Sequence, residues 1–103
     1  MIVYFDSDDL QKLYQIPLSE LRGKKSYPYE VINQYKKKVQ LLISIQNLED
    51  LKQFRGLNFE RLKGNRKGQY SIRLNNQYRL LLTRITESKV QIVLINEISK
   101  HYE

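Results

Sequence analysis

The sequence predicts an α+β domain, with an N-terminal strand and two to three helices packed on one face of a small antiparallel β-sheet. Three observations carry this expectation. Apolar residues recur at helical spacing in the first half, they alternate with polar residues after Gly56, and 103 residues suffice for one core but not for two domains that each bury a sheet. A single domain spanning residues 1–103 is therefore expected.

Ile2-Val3-Tyr4-Phe5 is short, β-branched and aromatic, as a strand requires, and Asp6 or Ser7 stands where it can cap a helix running through Tyr14. Gln15 to Tyr27 has no sustained period and contains Pro17 and Gly23, so it reads as a loop with one turn of helix at most. After Pro28 the positions Val31, Ile32, Tyr35, Val39, Leu42 and Ile43 trace one helical stripe, predicting an amphipathic helix to about Ile45. Lys36, Lys37 and Lys38 fall mostly off that stripe, on what is ordinarily a solvated face. Asn47 with Asp50 three residues on makes a capping pattern for a short helix through Phe54, stopping before Gly56.

The remainder reads as a three-stranded meander: Gln69 to Leu74, Tyr78 to Arg84, and Val90 to about Ile98, with Ser99 to Glu103 as a tail. Tyr70, Ile72 and Leu74 share one face of the first strand, and Ser71 and Arg73 the other. A two-residue turn would pair Ile72 with Arg79 and mix core with charge. A three-residue turn ending at Gln77 pairs Ile72 with Leu80 and Arg73 with Arg79, and is the expected one, with asparagine tolerating left-handed backbone.

Composition narrows the function. There is no Cys, which excludes disulfides and thiolate metal sites and suits a reducing cytoplasm. The apolar start is followed by Asp6, Asp8 and Asp9 before any basic residue, unlike an export signal, and runs such as Ile92 to Ile95 fall far short of the ~20 residues that span a bilayer. A cytoplasmic protein without membrane partners is expected. Net charge is +7, and its placement is one-sided. From Met1 to Asp50 seven Lys/Arg meet seven Asp/Glu, whereas from Leu51 to Glu103 eleven Lys/Arg face four acids. Such a field concentrates polyanions, although it also serves simple solubility.

In the predicted register Arg73 and Arg79 project together from the face opposite the core, where a phosphodiester would relieve their mutual repulsion through the planar guanidinium fork. Glu60 to Gly68 places Arg61, Lys63, Arg66 and Lys67 in a loop punctuated by Gly64 and Gly68, whose missing side chains would let backbone amides approach a phosphate. It is no P-loop, lacking the four-residue gap and the Lys-Ser/Thr ending.

The unbroken stretch Leu62-Lys63-Gly64-Asn65-Arg66-Lys67-Gly68-Gln69-Tyr70-Ser71-Ile72-Arg73-Leu74-Asn75-Asn76-Gln77-Tyr78-Arg79-Leu80 resembles the central signature of HigB-type toxins, also known as plasmid maintenance killer proteins, in the RelE/ParE superfamily. The resemblance is close here, looser to Glu97 and only architectural from Met1 to Gly56. It implies a RelE-like fold and a ribosome-dependent endoribonuclease that cuts mRNA in the decoding site, silenced by a helix-turn-helix antitoxin of the HigA type. It also implies that Lys63 and Arg79 hold or activate the scissile phosphate. Glu60 stands where some members carry histidine, as a general base or a salt-bridge partner. Family chains often end in Asp-Tyr-His; here the end is Ile98-Ser99-Lys100-His101-Tyr102-Glu103, and His101 corresponds to the terminal histidine after an insertion.

One His and few carboxylates in the basic half suit a metal-free route without cofactor, in which the RNA 2′-hydroxyl is the nucleophile. The expected roles are Glu60 or Lys63 near the hydroxyl, Arg79 and Arg73 at the phosphate, and His101, titrating near neutrality, as proton donor. Tyr102 or Tyr70 is a candidate for base stacking, with Tyr70 and Tyr78 also on the apolar face and therefore candidates for core. Arg61, Arg66, Lys67, Arg84 and Lys100 are expected to contact RNA or simply to charge the surface. Two other functions compete: a ParE-like gyrase poison, and an RNA-binding module that blocks translation without cutting.

Overall fold

A computed structural model of the protein describes residues 1–21, 26–66, 68–87 and 89–100. Its elements are β1 (Ile2–Phe5), α1 (Asp8–Gln15), α2 (Tyr29–Ser44), β2 (Glu60–Arg61), β3 (Gln69–Arg73), β4 (Tyr78–Glu87) and β5 (Val90–Lys100), with 3-10 turns at Leu18–Glu20, Leu48–Gln53, Arg55–Leu57 and Gly64–Arg66. Among the described residues no helix is long and apolar enough to cross a membrane.

Of the two residues proposed to cap α1, Ser7 does so: it is extended, its Oγ accepts from the Leu10 amide at 3.2 Å, and Asp8 and Asp9 complement the helix dipole behind it. The far end is closed from another element. Lys36 of α2 donates to the carbonyls of Tyr14, at 2.7 Å, and Ile16, and burial lowers its pKa. One of the three consecutive lysines is thus a helix cap rather than part of a free basic face. Lys38 bonds Gln34 at 2.8 Å along its own helix. α2 buries Val31, Ile32, Tyr35, Val39 and Leu42, and the Tyr35 hydroxyl donates to the Leu10 carbonyl at 2.7 Å, tying the helices together. Ile43 departs from expectation at 45% exposure. It lies about 100° past Leu42, off the edge of the buried stripe.

The Asn47 capping pattern is real, with the Asn47 amide donating to Asp50 Oδ2 at 3.2 Å, but the segment it opens is 3-10 rather than α. Leu48 and Leu51 are both fully buried three residues apart, and a 3-10 turn eclipses such positions onto one line.

Among the described residues five strands form one sheet of order β1-β5-β4-β3-β2. The expected meander is its centre. β1 joins it at one edge, parallel to β5, because the two helices carry the chain back across the sheet before the meander begins. The opposite edge is β2, in a segment expected to be loop. The last strand also continues past Ile98, so that Ser99 and Lys100 lie in the sheet rather than in a tail, with Ser99 opposite Arg79.

The register of β3 on β4 is the predicted one, Ile72 opposite Leu80 and Arg73 opposite Arg79. The turn achieves it differently. Neither Asn75 nor Asn76 is left-handed; the Asn75 side chain instead accepts from the amides of Gln77 and Tyr78, both at 2.8 Å, a side-chain mimic of a backbone turn.

The core lies between one sheet face and the helices. Leu10, Val31, Tyr35, Val39, Leu42, Leu48 and Leu51 pack on Tyr70, Ile72, Leu74, Leu80, Leu82, Val93, Ile95 and Ile98. Tyr70 is core, stacked on Phe59 with ring centres 5.4 Å apart. Two arginines flank it. Arg61, opposite Tyr70 in register, and Arg84 hold their guanidinium carbons 5.7 and 5.3 Å from its ring centre. Arg84 also donates to Glu49 at 2.8 and 2.9 Å and to the Tyr70 hydroxyl at 2.9 Å. Both are candidates for RNA contact or for surface charge; strand alternation places them on the helix-bearing side of the sheet, away from Arg79.

The Arg84 hydrogen bonds hold the Glu49 carboxyl below its ordinary value of 4.5, and the same pairing raises Arg84. With a lowered folded pKa, the pair's contribution is present above pH 4.5 and is lost as pH falls through the folded value. Because Glu49 is 43% exposed, that contribution is about 1 kcal/mol or less. In urea titrations Glu49→Gln should be less stable than wild type at neutral pH, with the gap closing below pH 4.5. A gap independent of pH would show that the pair contributes nothing.

Candidate active site

On the sheet face opposite the helices, a cavity of about 230 Å³ is lined by Glu60, Leu62, Arg66, Ser71, Arg79, Leu81, Ser99 and Lys100. Every strand from β2 to β5 contributes to it. Alternation explains the membership: Glu60 and Leu62 flank Arg61, Ser71 follows Tyr70, and Arg79 and Leu81 flank Leu80, so each core-facing residue has neighbours in the cavity. A larger cavity of about 730 Å³ sits beside α1, lined by residues such as Leu13, Ile16, Pro17 and Leu21, and holds none of the candidate residues. Chemistry rather than size therefore singles out the smaller one.

Arg79 is its fixed point. The side chain is only 15% exposed. Nε donates to Ser71 Oγ at 2.9 Å, Nη2 donates to the Asn58 carbonyl at 2.6 Å and lies 4.0 Å from Glu60 Oε1. Ser71 is itself buried, and Asn58 holds a left-handed backbone, φ 46°, that aims its carbonyl. Asparagine tolerates that conformation better than most residues. Two neutral acceptors thus orient the guanidinium, and among the described residues its ion-pair partner is Glu60, at 4.0 Å and 63% exposed.

Arg73 was expected to share a phosphate with Arg79. The two are adjacent in register, but Arg73 bonds the Asn76 side chain in the hairpin turn while Arg79 bonds toward β3 and Asn58, and Arg73 does not line the cavity. Cross-strand adjacency sets where two Cα atoms sit; the acceptors around each guanidinium decide where it goes.

The Glu60–Gly68 segment is more ordered than a loop reading suggests. After β2 it makes a 3-10 turn at Gly64–Arg66 and returns into β3, with the Leu62 amide donating to the Gln69 carbonyl at 2.9 Å. Lys63 is exposed where that turn begins. Gly64 and Gly68 have φ of 67° and 93°, and a Cβ at either would meet nothing within 4 Å. Both hold the left-handed backbone that favours glycine. Arg66 reaches out over the sheet to Gln69 at 3.2 Å and Glu97 at 3.4 Å. Lys67, His101 and Tyr102 lie outside the described residues.

Ser71, Asn58, Ser99 and Glu97 were not among the sequence candidates. Alternation with the predicted register already placed Ser71 on the face of Arg79; nothing local marks Asn58, whose part depends on a carbonyl direction.

A sheet with helices on one face and a cation-lined cavity on the other can be set beside solved toxin structures. The YoeB/ParE toxin from Agrobacterium tumefaciens superposes with a TM-score of 0.55 at 16% identity, covering 99% of this chain and 100% of that one. The YoeB-YefM complex from Staphylococcus aureus gives a TM-score of 0.56 at 22% identity, covering 99% and 98%. At such identities the likeness is one of fold alone, the fold of small YoeB- and ParE-type toxin structures. The family model for HigB-like toxins, described as the RelE-like toxin of the type II toxin-antitoxin system HigB, matches residues 4–96, and the chain belongs to that family. Toxin HigB-1 of Vibrio cholerae is 43% identical over 54 residues, a match that spans 52% of this chain and 57% of that toxin.

If Ser71 orients Arg79, Ser71→Ala should leave the fold intact, lower stability by about 1 kcal/mol, and free the guanidinium. Solvent exchange of the Arg79 Nε proton, followed by NMR, should be slow in wild type and fast in the variant. Fast exchange in both would show that the hydrogen bond does not hold the side chain.

Proposed function

We propose that this toxin is an endoribonuclease that cuts ribosome-bound mRNA in the cytoplasm and is held inactive by a helix-turn-helix antitoxin of the HigA type. The observation that carries this reading is Arg79, fixed by two neutral acceptors at a cavity whose rim is cationic and whose mouth holds a carboxylate. An arginine oriented in this way keeps most of its charge open to an incoming anion. Family membership supports the toxin class, and the excess of cations after Asp50 supports a polyanionic substrate.

Several of the chemical roles fall to residues that line the cavity. A phosphodiester seated on Arg79 puts the 2′-hydroxyl of the preceding nucleotide within the reach of Glu60, which takes its proton. The 2′-oxygen forms a bond to phosphorus, the bond to the 5′-oxygen breaks, and a 2′,3′-cyclic phosphate remains. Arg79, with Arg66 and Lys100 in the same cavity and Lys63 on the exposed turn that follows Leu62, offsets the charge that builds on the non-bridging oxygens. The leaving 5′-oxygen needs a proton, and His101, next in sequence after Lys100, is the proposed donor. Tyr102 is the proposed stacking contact. Arg73 is assigned to the periphery, because the hairpin turn engages it.

Induction of the wild-type chain should arrest growth and create new mRNA 5′-ends within codons of translated messages, visible by primer extension. Arg79→Ala and Lys63→Ala should each reduce cleavage by about 10²- to 10³-fold while keeping a cooperative melt and, where the antitoxin is at hand, the antitoxin complex. Growth arrest with intact messages and broken DNA would assign the chain to gyrase instead. Arrest with intact messages and intact DNA would leave an RNA-binding block of translation.

A further inference from the structure

Arg66 lines the cavity, and Glu97 lies outside its lining, across the strand from Leu81, which does line it. Arg66 ends the 3-10 turn between β2 and β3; Glu97 lies on β5, opposite Leu81 of β4. Their bridge at 3.4 Å therefore runs across β3 and β4, over the open face of the sheet. Beneath this span Ser71 and Leu81 are 1% and 5% exposed, although they point away from the helices. Arg66 is also anchored locally by Gln69 at 3.2 Å. The bridge itself is half exposed at both ends, 51% and 49%, so it can exchange with a competing anion.

We propose that Glu97 is an internal stand-in for a substrate phosphate, a positioning residue that holds Arg66 across the cavity until an RNA backbone displaces it. On entry, Arg66 exchanges the carboxylate for a phosphate oxygen while Gln69 keeps its stem in place, and Glu97 is left in water at the rim. Glu97 then acts on binding in two ways: it keeps the strap poised over Arg79, and it opposes any anion too weak to displace it. Its action is selective for a backbone with several phosphates over a lone anion. This inference rests on the RNA reading of the cavity.

The test uses the full chain and a fluorescent six-nucleotide RNA with 2′-O-methyl groups, which binds without being cut, titrated by polarisation at several salt concentrations. Glu97→Gln should tighten binding by about two- to fivefold, the range of a surface ion pair. Arg66→Ala should weaken it and flatten the log–log salt dependence by about 0.7, one phosphate contact on a single strand. In the Arg66→Ala background, Glu97→Gln should lose most of its effect. Glu87→Gln removes the same charge from the far end of β4 and should change little. Tightening by Glu87→Gln equal to that by Glu97→Gln, or tightening by Glu97→Gln undiminished without Arg66, would reduce the effect to net charge and overturn the strap. Weaker or unchanged binding by Glu97→Gln, with wild type bound and Arg79→Ala impaired, overturns the strap and leaves the cavity reading standing. Wild-type binding that does not need Arg79, or no binding by any form, overturns both.

Discussion

The pairing of β3 with β4 governs the rest of this molecule. Side chains alternate across a sheet with a period of two, so a slip of one residue would carry Arg79 and Ser71 under α2 and lift Ile72 and Leu80 into water. Register is held from two sides. Asn75 closes the turn with two side-chain hydrogen bonds, and Ile72, Leu80 and Leu82 are fully buried against the helices. A cationic site on one face is thus fixed by the apolar packing on the other, and neither can move alone.

The cations divide by what surrounds them. Lys36 closes a helix, Arg84 is paired with Glu49 and a tyrosine hydroxyl, and Arg61 lies along an aromatic ring. These charges connect elements. Arg79 is held by a hydroxyl and a carbonyl, which fix direction and leave its charge largely uncompensated. The same formal charge therefore joins elements on the packed side of the sheet and remains open to an anion on the other side. Counting lysines and arginines along the chain cannot make that division.

Local signals matched local structure well. Ser7, the Pro28 helix with its buried stripe, the Asn47–Asp50 pattern and the paired apolar alternation of β3 and β4 all depend on neighbours a few residues apart, and all are present. Where elements meet at long range the signals were absent. β2 is two residues long, too short for a pattern, and exists because β3 offers an edge. The parallel seat of β1 comes from the path of the helices, and the 3-10 form of Leu48–Gln53 from the need to bury two leucines on one line.

The residues themselves determined the α+β class, the register that sets Arg73 opposite Arg79, the basic character of the second half, and the resemblance that pointed to a toxin. Each of these is a matter of period, composition or contiguous motif. Tertiary structure decided which charged groups share a cavity: Glu60, Arg66, Arg79 and Lys100 do, Arg61 and Arg84 do not, and Arg73 turns aside. That choice depends on which hydrogen-bond acceptors the folded chain brings to each cation from far along the sequence, as the Asn58 carbonyl comes to Arg79, and no neighbouring residue encodes it.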